Sequence, residues 1–310
     1  MKPLSASEIV GNWATLLLPI NADESIDFAR LADELDVLIA SRPNGIYSNG
    51  TAGEFYAQTE DEFDRVSALL AERCERAGVP FQIGASHMSA QISLGRVRRA
   101  AALRPSAIQV ILPDWFPLTD DEVVAFLARM AEAADPIGLV LYNPPRAKRV
   151  LEPAVYERLR REVPGLVGMK VVDRGADWYA ETRRYAAGLS IFVPGHWLAT
   201  GIAHGAHGAY SNVACLQPAG AQRWYEQIIS DPPAARELEQ RIQAFMAQHI
   251  EPFITQQGYS NQAVDKLLAA IGAWADVGTR MRWPYRSIPH SEAERLRPIA
   301  RAMLPELFEE

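Results

Sequence analysis

Hydrophobic residues along the chain fall into two alternating patterns. Short runs that are apolar at consecutive positions are followed by longer stretches in which apolar residues recur every three to four positions. The run at 12–20 (NWATLLLPI) predicts a first strand. In the segment 26–41 that follows, Phe28, Leu31, Leu35, Leu38 and Ile39 share one face of a predicted helix. Gly45–Ser48 predicts a second strand, and a Gly-rich turn leads to a helix over 61–76. The alternation continues with strands predicted over 80–85, 107–112, 137–142, 166–172, 189–193 and 206–211. Helices are predicted over 90–103, 120–134, 153–162, 177–187, just after Trp197, and over 218–229. Thr119 stands where it can cap the helix at 120–134, and Pro153 occupies a first turn, where its missing N–H is harmless.

Strands apolar on both faces and separated by helices indicate a parallel sheet covered by helices. Eight such units in about 230 residues match a (β/α)8 TIM barrel. An open doubly wound sheet is the rival, but no G-x-G-x-x-G follows the first strand to favour it. Past Ser230 the strand pattern stops, and helices are predicted over 236–254, 261–277 and 291–304. The expected organisation is therefore a barrel over 1–230 with a C-terminal helical domain over 231–310.

Composition narrows the function. The 310 residues are 48% hydrophobic, ample for a large core, and the formal net charge is -7 with no basic block. Nucleic acid is thereby disfavoured as a partner, since phosphate binding needs clustered Lys and Arg. Two distant cysteines, Cys74 and Cys215, suggest a reducing compartment without a disulfide framework. The first residues lack the apolar core of a signal peptide, and no apolar run approaches the roughly 20 residues of a membrane span. A cytoplasmic protein with no membrane partner is expected.

Active sites of such barrels form at the C-terminal ends of the strands, and three segments there carry chemistry. Lys170 lies in LVGMKVV, where every neighbour is apolar or Gly. An ammonium is poorly solvated in that setting, and desolvation favours the neutral amine, the form that attacks a ketone. The alternative is a lysine paired with a carboxylate at the barrel mouth. Tyr142 closes the preceding strand before Asn143-Pro144-Pro145 and could either shuttle protons to an adjacent amine or simply pack. Gly50-Thr51-Ala52-Gly53-Glu54 forms a tight turn with free backbone N–H groups, which is either an anion nest or an ordinary loop. His204 and His207 stand three apart with no carboxylate or Cys to complete a ligand set, so no metal is expected.

G-T-A-G-E after strand two, Y-N-P-P after strand five and G-M-K on strand six, in that order, resemble the dihydrodipicolinate synthase / N-acetylneuraminate lyase family. Gly278-Thr279-Arg280-Met281-Arg282-Trp283-Pro284-Tyr285 resembles a turn in the tail of that family, so the likeness spans nearly the whole chain. The resemblance implies a Schiff-base lyase or aldolase acting on pyruvate or another 2-oxo acid. Lys170 would be the nucleophile, Tyr142 the general acid/base, and Thr51 with the N–H of Ala52, on the Gly50 turn, the carboxylate cradle. It implies no organic cofactor or metal, and a homo-dimer or homo-tetramer.

The departures count as well. Ala52 replaces a second hydroxyl. Trp115 falls where the synthases carry a tyrosine supplied by a neighbouring subunit, and an indole cannot relay a proton. Ala147, between Arg146 and Lys148, stands where the synthases have an arginine for the second substrate. Dihydrodipicolinate synthesis itself is therefore not expected. Arg146 and Lys148 would suit a second anionic group, whereas Trp115, with Phe116 and Trp197, would suit an apolar aldehyde; Tyr210, Ser211, Asn212, His196 and His87 could complete the mouth. Two alternatives stay open: dehydration of a 2-keto-3-deoxy sugar acid through the same imine, and a non-catalytic 2-oxo-acid binding protein.

Overall fold

The computed structural model describes residues 1–172 and 174–309. Eight parallel strands close on themselves in sequence order: β1 (Gly11–Thr15), β2 (Gly45–Ser48), β3 (Phe81–Gly84), β4 (Ala107–Val110), β5 (Leu139–Tyr142), β6 (Leu166–Lys170), β7 (Ser190–Pro194) and β8 (Gly208–Tyr210). The first strand pairs with the last, Trp13 standing opposite Tyr210, so no sheet edge is left exposed. This is the (β/α)8 barrel that the alternation predicts, with helices after Ser230 appended to it.

Strand lengths differ from expectation for local reasons. β1 stops at Thr15 because Leu17 N donates to the Glu34 carboxylate at 2.7 Å instead of to a neighbouring strand, and Pro19 has no N–H to give. β6 stops at Lys170, which makes that lysine the last residue of its strand and places it opposite Tyr142 in the β5 register. Both residues thus stand at the barrel's C-terminal rim. Helix starts follow their capping residues. Thr119 and Glu122 form a reciprocal capping box at Asp120–Ala134, as Thr59 and Glu62 do at Glu60–Ala77.

The barrel interior is filled rather than open. Trp13, Phe192, Tyr210 and Tyr47 meet edge-on or tilted, with ring centroids 4.5–6.2 Å apart. Buried Gln82 accepts the Tyr210 hydroxyl at 2.7 Å. These side chains floor the cavity that opens above them.

The tail helices share the larger hydrophobic core with the shell of the barrel. The stretch predicted as one helix over 236–254 is instead Pro232–Phe245, a π-helical turn Met246–Ile250, and Glu251–Thr255. Pro252 cannot donate back into the preceding turn, which favours such a local widening. The next helix, Asn261–Gly272, ends five residues earlier than expected and rests on Asn212–Leu216, just beyond β8. A Cβ on Gly272 would stand 1.8 Å from the carbonyl oxygen of Leu216, so only glycine permits that approach. Close docking carries the N-terminal half of this helix over the barrel mouth. Among the described residues, no helix is long and apolar enough to cross a membrane.

Candidate active site

A cavity of about 510 Å³ opens at the C-terminal ends of the strands, lined among others by Thr15, Tyr47, Thr51, Tyr142, Lys170 and Asp265. Lys170 Nζ lies 4.4 Å from the centre of the Tyr142 ring, 5.2 Å from Tyr210 and 5.7 Å from Tyr47. Ring faces hold the nitrogen without binding it covalently or ionically. Among the described residues, no carboxylate lies within ion-pair distance of Lys170.

Tyr142 presents its hydroxyl to the same space. Arg146 donates to that oxygen at 2.7 Å. Burial pushes the phenol up, but the charges of Lys170 and Arg146, with hydrogen bonding to Thr51 and Arg146, outweigh it and leave Tyr142 below the usual tyrosine range. A phenol so placed gives up and regains a proton more readily than a free one.

The turn after β2 is rigidly supported from behind. Glu54 stands in the left-handed region at φ 50° and pairs with Lys266, both side chains wholly buried, while Lys266 also donates to the Arg280 carbonyl at 2.6 Å. Gln58 donates to the Gly53 carbonyl at 2.8 Å and to Asn49 at 3.0 Å, and Asn49 donates to Ser67. Glu54 N returns to the Thr51 carbonyl, whereas the N–H groups of Thr51, Ala52 and Gly53 donate to no described acceptor. Thr51 and Ala52 line the cavity. Gly50 lies behind them against the Tyr47 ring, 2.6 Å from where its Cβ would be, and shapes the turn without lining the cavity.

Beyond Tyr142 and Arg146 lies a second chamber of about 500 Å³, walled by Phe55, Tyr56, Met88, Ile111, Leu112 and Tyr285. It shares Thr51, Tyr142, Pro144 and Arg146 with the first cavity, so the Tyr142–Arg146 pair stands between the two. His87 faces this second chamber, while Tyr210, Asn212, His196 and Trp197 face the first.

Two expectations from sequence need correcting. Trp115 and Lys148 line neither chamber of this chain. Lys148 Nζ donates to the Trp115 carbonyl at 2.8 Å and lies 4.8 Å above its indole, and that indole is 70% exposed. The lysine's charge is drawn outward to the loop and away from the lysine on β6. The aromatic wall is supplied instead by Phe55, Tyr56 and Tyr285, of which only Tyr285 stood in a motif, the tail turn, and none was expected at the site. Thr15, Tyr47, Cys215 and Asp265 line the first cavity although none was expected there. Burial raises the Tyr47 phenol and the Cys215 thiol well above their usual ranges, so both stay protonated. Only Asp265 left a signal in sequence: with Lys266 it interrupts an otherwise apolar helix. Among the described residues, no cluster of three or more metal-ligating side chains is found.

A family model described as the dihydrodipicolinate synthetase family matches residues 8–303. A 4-hydroxy-tetrahydrodipicolinate synthase from Thermomicrobium roseum is 35% identical over 151 residues, 48% of this chain and 49% of that protein. A trans-O-hydroxybenzylidenepyruvate hydratase-aldolase from Sphingobium xenophagum is 27% identical over 180 residues, 56% of this chain and 53% of that protein. The chain thus matches about half the length of these curated relatives. Solved structures share the fold at lower identity. The N-acetylneuraminate lyase of Proteus mirabilis superposes with a TM-score of 0.81 at 20% identity, covering 96% of this chain and 98% of that one. The wild-type sialic acid aldolase of Ruminococcus gnavus gives 0.83 at 19%, covering 97% and 98%. With the closed barrel, the tail and a family match across nearly its full length, the chain belongs to the dihydrodipicolinate synthetase family of lyases.

Proposed function

We propose that this protein is a class I lyase that forms an imine between Lys170 and pyruvate or a related 2-oxo acid. The observation that carries the reading is the position of the Lys170 amine: at a strand end, facing a cavity, ringed by three phenols and with no described carboxylate at ion-pair distance. The amine attacks the keto carbon, and loss of water leaves an iminium that draws electrons from the next carbon. Thr51 and the N–H groups of the turn receive the carboxylate. Tyr142 gives and takes the protons of carbinolamine formation, with Arg146 stabilising its phenolate form.

The second reactant is an aldehyde with an apolar body. The aromatic and aliphatic lining of the second chamber supports this, since such a space favours a neutral, hydrophobic group. The Sphingobium relative, a hydratase-aldolase named for an aryl-substituted pyruvate, points the same way. The absence of a charged group at Ala147 argues against dihydrodipicolinate synthesis. Asn212, Asn261 and His196 on the first cavity's rim favour a second reading, dehydration of a hydroxylated 2-oxo acid by the same imine. Self-association is also proposed, with exposed Trp115 and Phe116 as part of the contact.

Borohydride reduction in the presence of pyruvate tests the reading. A reduced adduct on Lys170 in the mass spectrum is the expected result; no adduct with pyruvate or a panel of 2-oxo acids defeats it. Product analysis then separates the two outcomes, because cleavage releases pyruvate and an aldehyde while dehydration keeps the carbon count.

A further inference from the structure

The tail helix Asn261–Gly272 carries two adjacent charges in an almost wholly buried segment. Ala263, Val264, Leu267, Leu268, Ala269, Ala270 and Ile271 are all buried. The charge on Lys266 is matched by Glu54 and the Arg280 carbonyl. That on Asp265 has no bonded partner: among the described residues its carboxylate makes no hydrogen bond and no ion pair, and the charges of Lys170 and Arg146 bear on it from beyond ion-pair distance. It lines the cavity that holds Lys170, Tyr142 and Arg146, and also a side limb of about 190 Å³ toward the π-helical turn. Asp265 is thus a half-buried carboxylate on an otherwise buried stretch of helix, facing the cavity that holds Lys170 and Arg146, which is a placement for chemistry rather than for packing.

We propose that Asp265 is a second proton-transfer group of the site, taking the proton released from C3 of the Lys170–pyruvate iminium. The assignment rests on the imine reading above. As the C3–H bond breaks, its electron pair forms the C2=C3 bond of the enamine, and the C2=N pair moves onto nitrogen. The proton resides on the Asp265 carboxylate and is returned when the enamine is protonated.

The chemistry of the neighbours fits. Burial pushes the Asp265 carboxyl up, to about 6, although Lys170 and Arg146 pull it down. The group is thus an acceptor at neutral pH that holds a proton only slightly below it. Tyr142 is displaced the opposite way, below its usual range. Two acids brought closer together in strength can divide the work, the phenol serving the carbinolamine oxygen and the carboxylate serving carbon. Other titratable or charged groups facing this space are Tyr47 from β2, Tyr210 from β8, Cys215 from the segment after β8, His196 after β7, and Glu251 in the side limb. Of these, Tyr47, Tyr210 and Cys215 stay protonated through neutral pH because burial raises each of them.

Pyruvate alone provides the test, through exchange of its methyl protons in D2O followed by NMR, alongside borohydride trapping. In wild type, exchange rises with pH through about 6, because the carboxyl must be ionised to accept a proton. Asp265→Asn lowers exchange at least about 100-fold and abolishes that rise, while trapping on Lys170 stays within about twofold. Asp265→Glu keeps a pH-dependent rise, displaced from its original midpoint. The assignment is overturned if wild-type exchange does not change between pH 5 and 7. It is likewise overturned if Asp265→Asn exchanges at the wild-type rate, or if that variant loses trapping as severely as exchange. Failure of wild type to trap pyruvate at all would instead defeat the imine reading, and this assignment with it.

Discussion

Two lysines, each set among apolar residues, stand in opposite relations to the fold. Lys170 ends β6 and faces open space with three aromatic rings around its nitrogen. Lys266 lies wholly buried on a tail helix, locked to Glu54 and to the Arg280 carbonyl. Burial, with the charge of Arg282, pulls the Lys266 ammonium below its usual range although the Glu54 carboxylate opposes it. The first lysine has a free approach and, among the described residues, no carboxylate at ion-pair distance; the second has a bonded counter-ion and no approach. An apolar sequence context therefore does not distinguish a reactive lysine from a structural one. Access and pairing do.

Removing each nitrogen breaks the comparison in a different observable. Lys170→Ala is expected to abolish borohydride trapping of pyruvate and to lower turnover by at least about 1,000-fold, while urea denaturation changes little. Lys266→Met leaves the Glu54 carboxylate buried and unpaired, and should cost about 3–5 kcal/mol in the same denaturation measurement. If Lys266→Met is instead neutral, Glu54 does not depend on Lys266 as its counter-ion and Lys266 is not the structural lysine of the pair.

Smaller effects sharpen the picture around Lys170. Tyr142→Phe keeps the ring beneath the amine but removes the hydroxyl, and a fall of about 100-fold in turnover is expected. Because the phenol lies below its ordinary range, a basic limb in the wild-type pH–rate profile should fall below the usual tyrosine value and vanish in Tyr142→Phe. Thr51→Val should chiefly raise KM for pyruvate, by about tenfold, since it removes one hydrogen bond to the carboxylate and leaves the backbone cradle. Lys148→Ala should change either constant less than about twofold, because that side chain turns outward to Trp115.

Much of the architecture was legible before any coordinates. The alternation of apolar strands and amphipathic helices reflects a parallel sheet shielded on both faces, and eight units with no G-x-G-x-x-G after the first strand favoured the closed barrel over an open doubly wound sheet. Lys170, Tyr142 and Thr51 could be found because strand ends are where such barrels expose polar groups, and these three come together around one cavity. Trp115 and Lys148 misled because position in a loop sets where a backbone passes but not where its side chains turn. Their mutual attraction, a local matter of one ring and one ammonium, took both outward.

Asp265 marks the limit of the linear reading. The sequence by itself determined the barrel, the strand that carries the amine, and the turn with unpaired N–H groups, because each depends on periodicity or on neighbours a few residues away. Which charge is cancelled and which is left free was decided only in three dimensions. Asp265 and Lys170 are separated by most of the barrel's second half along the chain, and meet because Gly272 lets the tail helix approach the Leu216 backbone closely. Adjacent residues on that helix, Asp265 and Lys266, point one toward a cavity and one toward a buried carboxylate, a difference of about 100° around a helix axis that only tertiary contact converts into chemistry.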